Sequence, residues 1–282
     1  MSVDILQEKI RKTKNPSVLY FEALSELVPT AYGEGMDGLK AYFSAVMEAL
    51  KGVVPAVRFG LGSFALWGEQ GLCALRELLT AAKKLGYYIL LDAPELMSAA
   101  SAFHAVQMLF TGAYEFHGVV AGGYAGSDVM VPLRDLCKKG KSVFIVARTS
   151  NKSAVELQDL LAGGRLVHVA VVDLVARHGD GLTGKCGYSN LGAVAAASSA
   201  ASLKTLRPKY NRVFMLLDGF DYPNSNAKNC SFAFDKFGHG AAACACAGIL
   251  GAWKEGEGDA VALAVEAAER MKKNLTRYFA VL

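Results

Sequence analysis

One acidic residue, Asp92, stands where an apolar run ends. Residues 87–91 read Tyr-Tyr-Ile-Leu-Leu, and Pro94 prevents a strand from continuing much beyond the aspartate. A run that is apolar on both faces is typical of a parallel strand buried under helices. Asp92 is therefore predicted at the carboxyl end of a buried strand, where a carboxylate can act on a ligand.

Further polar residues lie in or just after predicted strands and would converge on Asp92 if this end of the fold carries chemistry of its own. They are Glu22, Arg58, Glu95 and Ser150, with Asp218 and Asp221 at the rim. A cavity rich in carboxylates, formed where the carboxyl ends of the strands meet, can hold a divalent cation or an amine. The alternative is that Arg58 merely neutralises Glu22 and Asp92 in a structural ion-pair cluster.

Eight predicted strands would position these residues. They are Ser17–Phe21, Val53–Phe59, Tyr87–Asp92, His117–Ala121, Ser142–Arg148, Gly192–Ala197, Val213–Asp218 and Ala241–Ala247. Segments with apolar spacings of three and four separate them, among them Met36–Leu50, Gly68–Lys84 and Lys152–Leu161. Eight strands that alternate with helices predict an α/β fold, a (β/α)8 TIM barrel formed by residues 1–282 as a single domain.

The segment Arg165–His178 is ambiguous, because its valines suit a strand. Its length and the four-residue steps from Leu166 to Ala170 to Leu174 favour a helix.

Composition excludes several classes of protein. The 282 residues are 52% hydrophobic and 20% charged, with a net charge of +4 and no basic block, so nucleic acid is not an expected partner. No apolar run is long enough for a membrane span. Six scattered cysteines, without a Cys-x-x-Cys pair, indicate a reduced cytoplasmic chain, and Cys244 and Cys246 are interpreted as buried thiols.

The middle of the chain carries motifs of one family. Gly118–Asp128 contains Tyr-Ala-Gly-Ser-Asp, residues 144–151 read Phe-Ile-Val-Ala-Arg-Thr-Ser-Asn, and Glu156-Leu157-Gln158 follow. These segments resemble the bacterial type 2 orotidine 5′-phosphate decarboxylases, and further markers extend the likeness along the whole chain. The resemblance implies the barrel, a role in pyrimidine biosynthesis as a lyase, and no cofactor or metal.

The alignment with that family exposes departures at the catalytic motif. The family's third strand ends in aspartate-x-lysine-arginine-glycine-aspartate, in which the lysine protonates the carbanion left by CO2. Here Asp92 is retained, Pro94 takes the lysine position and Met97 the second aspartate position. The family's strand-one aspartate and strand-two lysine become Glu22 and Arg58.

The pocket implied by the resemblance otherwise includes Ser150 and Asn151 after strand five, Asp218 and Gly219 after strand seven, and Gly248 after strand eight. The family's phosphate-binding glutamine and arginine fall on Pro223 and Ala247. A phosphate would lose a bidentate cation and an amide donor there. Lys228, or backbone N–H groups after Gly248, could compensate.

Asp128 is expected to cap the helix after strand four, and His104 and His117 are expected to be structural or exposed.

These departures predict an orotidine 5′-phosphate decarboxylase-like protein with little or no decarboxylase activity. One hypothesis is a pseudoenzyme that acts as a homodimer, or as a heteromer with an active paralogue, because the family builds its sites across a dimer interface. The alternatives are new chemistry on a different small molecule and an active decarboxylase with a rearranged site. Each of them allows a nucleotide or other small molecule at the barrel mouth.

Overall fold

Eight parallel strands close into a barrel in this computed structural model, which describes residues 1–110, 112 and 114–281. The strands are β1 Ser17–Phe21, β2 Ala56–Gly60, β3 Tyr88–Ala93, β4 Gly118–Gly122, β5 Ser142–Val146, β6 Leu191–Ala196, β7 Met215–Asp218 and β8 Ala241–Ala245. Each strand pairs in parallel with the next along the chain, and β1 pairs with β8 to close the ring. The predicted (β/α)8 fold is confirmed.

Apart from the first one, which precedes β1, the helices follow the strands and cover the outside of the barrel. They are α1 Ser2–Thr13, α2 Gly35–Ala49, α3 Leu61–Ala65, α4 Gly68–Leu85, α5 Ala99–Phe110, α6 Ser127–Lys138, α7 Ala154–Leu157, α8 Val167–His178, α9 Ala200–Lys209, α10 Ala227–Ser231, α11 Ala247–Leu250 and α12 Ala260–Thr276. No described helix is long and apolar enough to cross a membrane.

Two apolar clusters hold the fold together. The larger one lies between the outward faces of the strands and the surrounding helices. The smaller one fills the barrel interior with side chains such as Leu90, Phe144 and Phe214. Val3 and Leu6 of α1 belong to this inner cluster, so α1 closes the amino-terminal end of the barrel and leaves the opposite end for a site.

Strand geometry decides which residues reach that open end. Successive side chains of a strand point to opposite faces, so Tyr88, Leu90 and Asp92 of β3 share the inward face. Tyr88 and Leu90 lie in the inner cluster, and Asp92 is the next inward residue towards the carboxyl end. The Asp92 side chain therefore lies inside the open end of the barrel, at the carboxyl ends of the strands.

The predicted strand bounds were wrong at several ends. The second strand begins at Ala56, because residues 51–54 form a turn that Gly52 allows with φ +81°. The eighth strand ends at Ala245, and Cys246 starts the turn into α11. The predicted helix Lys152–Leu161 is limited to α7, and a short antiparallel hairpin, Leu161–Ala162 with Arg165–Leu166, follows.

The helical interpretation of residues 165–178 is confirmed for Val167–His178 as α8. The prediction that Asp128 caps a helix was wrong. Gly126 is the N-cap of α6, and Asp128 lies inside the first turn, where its charge favours the positive end of the helix dipole.

Candidate functional site

A cavity of about 210 Å³ opens at the carboxyl ends of the strands. It is lined by Tyr20, Glu22, Arg58, Asp92, Pro94, Val146, Thr149, Val194, Asp218, Gly219, Asp221, Tyr222, Cys244, Ala245 and Cys246. Four of these residues are acidic and only Arg58 is basic. The cavity, called the mouth cavity below, is therefore electronegative, and its volume lies below the roughly 300–1,000 Å³ of ordinary small-molecule pockets.

Arg58 bridges two carboxylates in this cavity. Its Nη2 donates to Asp92 Oδ1 and its Nη1 donates to Asp218 Oδ1, each at 2.7 Å. Burial alone would lower the pKa of the Arg58 guanidinium, but the two carboxylates raise that pKa well above its ordinary value. The side chains of Arg58 and Asp92 are only 6% exposed, so the pair is shielded from solvent. These contacts favour the structural ion-pair alternative, with Asp218 in the place expected for Glu22.

Tyr20 completes the cluster. Its hydroxyl donates to Asp92 Oδ2 at 2.6 Å, and the Arg58 guanidinium stacks over its ring at 4.3 Å. Burial and the Asp92 carboxylate raise the pKa of the phenol, which stays protonated. Sequence reasoning missed this residue, although the two-residue period of a strand places it on the inward face with Glu22.

Glu22 is half-buried beside a thiol. Cys246 Sγ donates to Glu22 Oε2 at 3.7 Å. Burial raises the pKa of the Glu22 carboxyl, and the Asp92 charge adds to the effect while Arg58 opposes it. Burial also raises the pKa of both cavity thiols, that of Cys244 to about 12, so neither Cys244 nor Cys246 is a thiolate at neutral pH.

The shifted pKa of Glu22 predicts a pH-dependent stability. A carboxyl whose pKa is raised on folding contributes stability below its ordinary pKa near 4.5, and this contribution is lost as pH rises through the folded value. We expect Glu22→Gln, which keeps a neutral side chain, to match the wild type at pH 4 and to be more stable at pH 8. Urea unfolding of both proteins across that range measures the difference. A constant difference, or a wild type that gains on the variant as pH rises, would contradict the shift.

The loop after β7 places a carboxylate against backbone donors after β8. Asp221 Oδ2 accepts the N–H of Cys246 at 2.8 Å and the N–H of Gly248 at 2.9 Å. A Cβ on Gly248 would lie 2.9 Å from Asp221 Cβ, so glycine permits this close approach. The N–H groups after Gly248, which were expected to compensate for lost phosphate contacts, are bonded as well, because those of Ile249 and Leu250 donate to the backbone oxygen of Cys246. Lys228 is exposed on α10 and does not line the mouth cavity.

The predicted pocket residues divide into two groups. Glu22, Arg58, Asp92, Asp218 and Gly219 line the mouth cavity, as does Pro94. Those outside its lining are Ser150, Asn151, Gly248, Glu95 and Met97.

Ser150 supports the cavity from outside. Its Oγ donates to the backbone oxygen of Asp218 at 2.6 Å, and it packs so closely on Gly219 that a Cβ there would lie 2.7 Å from Ser150 Cβ. Asn151 is exposed, and its Oδ1 accepts from Thr149. The serine therefore couples the loop after β5 to the end of β7.

A buried polar network anchors the loop after β5. Arg148 donates to both carboxylate oxygens of Asp159, at 2.9 and 2.8 Å. His168 Nδ1 lies 3.1 Å from Asp159 Oδ1, and its Nε2 lies 3.0 Å from Ser202 Oγ. The contacts run in the order of a Ser-His-Asp triad, but Arg148 neutralises the aspartate and none of the cavities described here reaches Ser202. The network is a structural support, and sequence reasoning missed it.

His117 has a structural role, because its Nδ1 accepts the N–H of Ile89 at 3.0 Å. Burial, with nearby lysines, lowers the pKa of His117 to about 4, which keeps that nitrogen free to accept. Over residues 1–110, 112 and 114–281, no three His, Cys, Asp or Glu side chains are grouped closely enough to hold a metal ion. The divalent-cation alternative at the mouth therefore has no ligand set among them.

Fold and site together define a parallel (β/α)8 barrel with an acidic mouth. No family model matches the chain. Its sequence is 26% identical over 261 residues to a protein named orotidine 5′-phosphate decarboxylase from Clostridium novyi (strain NT), covering 90% of each chain. It is 27% identical over 259 residues to one of the same name from Clostridium perfringens (strain 13 / Type A), with the same coverage.

Solved structures agree on the fold. Leishmania donovani OMP decarboxylase superposes with a TM-score of 0.75 at 22% identity, covering 97% of this chain and 98% of that chain. Plasmodium berghei orotidine 5′-monophosphate decarboxylase gives 0.77 at 11% identity, covering 98% of both. The sequence likeness supports the orotidine 5′-phosphate decarboxylase family, and the structures support the barrel.

Proposed function

We propose that this chain is an orotidine 5′-phosphate decarboxylase-like barrel with little or no decarboxylase activity. One observation carries the proposal: the only cation of the mouth cavity, Arg58, is bound on both sides by Asp92 and Asp218. An arginine held in this way is not free to pair with a substrate carboxylate. We therefore assign these side chains mainly a structural role, in which their charges neutralise one another, and only a minor role in ligand binding.

The cavity also lacks a suitable proton donor. Its described lining contains no lysine, and Pro94, which takes the lysine position, has no proton to give. Tyr20 already donates its hydroxyl proton to Asp92. A carbanion formed in this cavity would have no positioned ammonium beside it, so the charge stabilisation on which such a reaction depends is lost.

Phosphate recognition is weakened in the same region. In barrels of this kind the loops after the seventh and eighth strands commonly bind phosphate through backbone N–H groups. Here Asp221 occupies the N–H groups of Cys246 and Gly248, and a phosphate dianion would meet a carboxylate instead of free donors. The phosphate of a nucleotide substrate, which lies away from the reacting atoms, would therefore contribute less binding energy.

Calorimetric titration with UMP and with its 6-hydroxy analogue, a mimic of the carbanion intermediate, tests the proposal. We expect the analogue to bind no more tightly than UMP. An analogue of the reacting state binds an active site at least ~100-fold more tightly than the ground state does. A preference of that size, abolished by Arg58→Met, would show that the decarboxylase pocket persists.

A second candidate is an enzyme that acts on a different small molecule. The raised pKa of Glu22 favours it, because a carboxyl that burial keeps protonated to higher pH than usual is a candidate general acid. The electronegative lining suits neutral or cationic ligands. Such an activity would disappear in Glu22→Gln at every pH, whereas a ligand site without chemistry would survive that change.

The proposed assembly is a homodimer, or a heteromer with an active paralogue, within a reducing cytoplasm. Large apolar side chains are exposed on loops and helices that follow the strands. They include Met97, Phe103, Leu157, Leu161 and Tyr222. A partner seated on this rim would bury them. Sedimentation velocity of the wild type and of Met97→Lys/Tyr222→Lys distinguishes a dimer joined at the rim from a monomer.

A further inference from the structure

A larger cavity, of about 500 Å³, lies at the opposite end of the barrel. Its wall includes Leu191, the first residue of β6, and Val213, just before β7. The end of α8 and the loop after α9 form the rest of the wall. Since Asp218 of the mouth is the last residue of β7, the strand separates the two cavities. We call this one the basal cavity.

Three cations and one carboxylate line the basal cavity. The cations are Arg177, Lys209 and Arg212, and the carboxylate is Asp180. The guanidinium groups of Arg177 and Arg212 make no hydrogen bond or ion pair with any side chain in the described part of the molecule. Lys209 lies 3.3 Å from Asp173 Oδ1 and is partly neutralised. Two arginines are thus left free to bind an anion.

The remaining lining suits an organic molecule. Ala176, Leu191 and Val213 supply apolar surface, and Thr183, Ser189 and Asn211 supply polar groups. Leu191 and Val213 are nearly fully buried and close the cavity from beneath, while Ala176 is the half-buried apolar residue of its wall. A volume of ~500 Å³ falls within the range of small-molecule pockets and exceeds the space that an inorganic ion needs.

We propose that the basal cavity is a binding site for a small organic phosphate. Guanidinium groups bind phosphate oxygens in a bidentate fork, and two unpaired arginines with a lysine outweigh the single carboxylate. Ala176, with the exposed Thr183 and Asn211, is left to contact the organic part of the ligand. The site is independent of the mouth, so the proposal stands whether or not the mouth retains a reaction.

The local electrostatic field agrees with this assignment. His178, next to Arg177, is part-buried, and its Nε2 lies 3.1 Å from Ser127 Oγ. Burial lowers the pKa of His178, and the positive charges of Arg177 and Arg134 lower it further. Of these two causes, only the positive charges also favour an anion in this region.

Inorganic pyrophosphate is the probe, titrated calorimetrically into the full chain at low ionic strength. The test variant is Arg177→Gln/Arg212→Gln. The matched control is Lys84→Gln/Lys273→Gln, which removes the same charge from exposed helix positions remote from the cavity. Circular dichroism and urea unfolding verify that both variants fold.

We expect pyrophosphate to bind the wild type and the control with equal affinity, and the double arginine variant at least tenfold more weakly. A ribose 5-phosphate titration should follow the same order. Equal weakening in both variants would show unspecific charge attraction and overturn the proposal. No binding to the wild type, or binding that Arg58→Met abolishes while the arginine variant retains it, would overturn it as well.

Discussion

Replacing Arg58 by methionine is expected to destabilise the protein by about 3–5 kcal/mol at neutral pH. The substitution keeps an apolar stem of similar length but leaves the carboxylates of Asp92 and Asp218, each 2.7 Å from the guanidinium, without a counter-charge. Breaking a buried pair from one side costs far more than the pair contributes, because an uncompensated charge remains. Urea unfolding followed by circular dichroism measures the change.

Two further variants make this test specific. Arg165→Met breaks the exposed pair with Asp173 and should cost less than about 1 kcal/mol. The triple change Arg58→Met/Asp92→Asn/Asp218→Asn removes all three charges and should recover most of the lost stability. If Arg58→Met unfolds within about 1 kcal/mol of the wild type, the arginine is not structural and remains available to a ligand.

Removing the Asp221 carboxylate from the backbone N–H groups after β8 is expected to create phosphate affinity in the mouth cavity. In the structure the Asp221 carboxylate accepts the N–H groups of Cys246 and Gly248. Asp221→Ala frees both donors and removes one negative charge from the mouth cavity. We expect inorganic phosphate to bind this variant at least tenfold more tightly than the wild type in calorimetric titration.

Asp221→Asn is the matched control. Its side-chain oxygen can still accept the two N–H groups, so phosphate should bind it about as weakly as the wild type. Any binding in the basal cavity is common to all three proteins and cancels in the comparison. Equal phosphate affinity for the alanine variant and the wild type would contradict the view that Asp221 takes the place of a phosphate.

The barrel itself could be predicted because its determinants are local. Each buried parallel strand is a short apolar run, and eight such runs alternate with helical patterns. Strand ends were predicted less well, because turns decide them. Gly52, at φ +81°, turns the chain, and only from Ala56 does the strand pair with both neighbours.

The candidate site could be predicted only in part. Asp92 follows from the rule that carboxyl ends of barrel strands carry polar groups, and Glu22 and Arg58 follow from the resemblance to a known family. Tyr20 could also have been predicted, because it precedes Glu22 by two residues and side chains two apart on a strand share a face. The contact of Asp221 with the N–H groups after β8 depends on the path of two loops, which the spacing of residues does not encode.

Single-turnover decarboxylation of orotidine 5′-phosphate by the purified chain, with enzyme in excess, tests the central claim most directly. Enzymes typically turn over at about 1–1000 per second, and each tenfold loss corresponds to about 1.4 kcal/mol of transition-state stabilisation. With Arg58 bound by Asp92 and Asp218 and no lysine in the described lining of the mouth cavity, we predict a rate on the order of 0.001 per second or lower. A rate of about 1 per second or more, lost in Arg58→Met, would contradict the account and show that the rearranged mouth still catalyses the reaction.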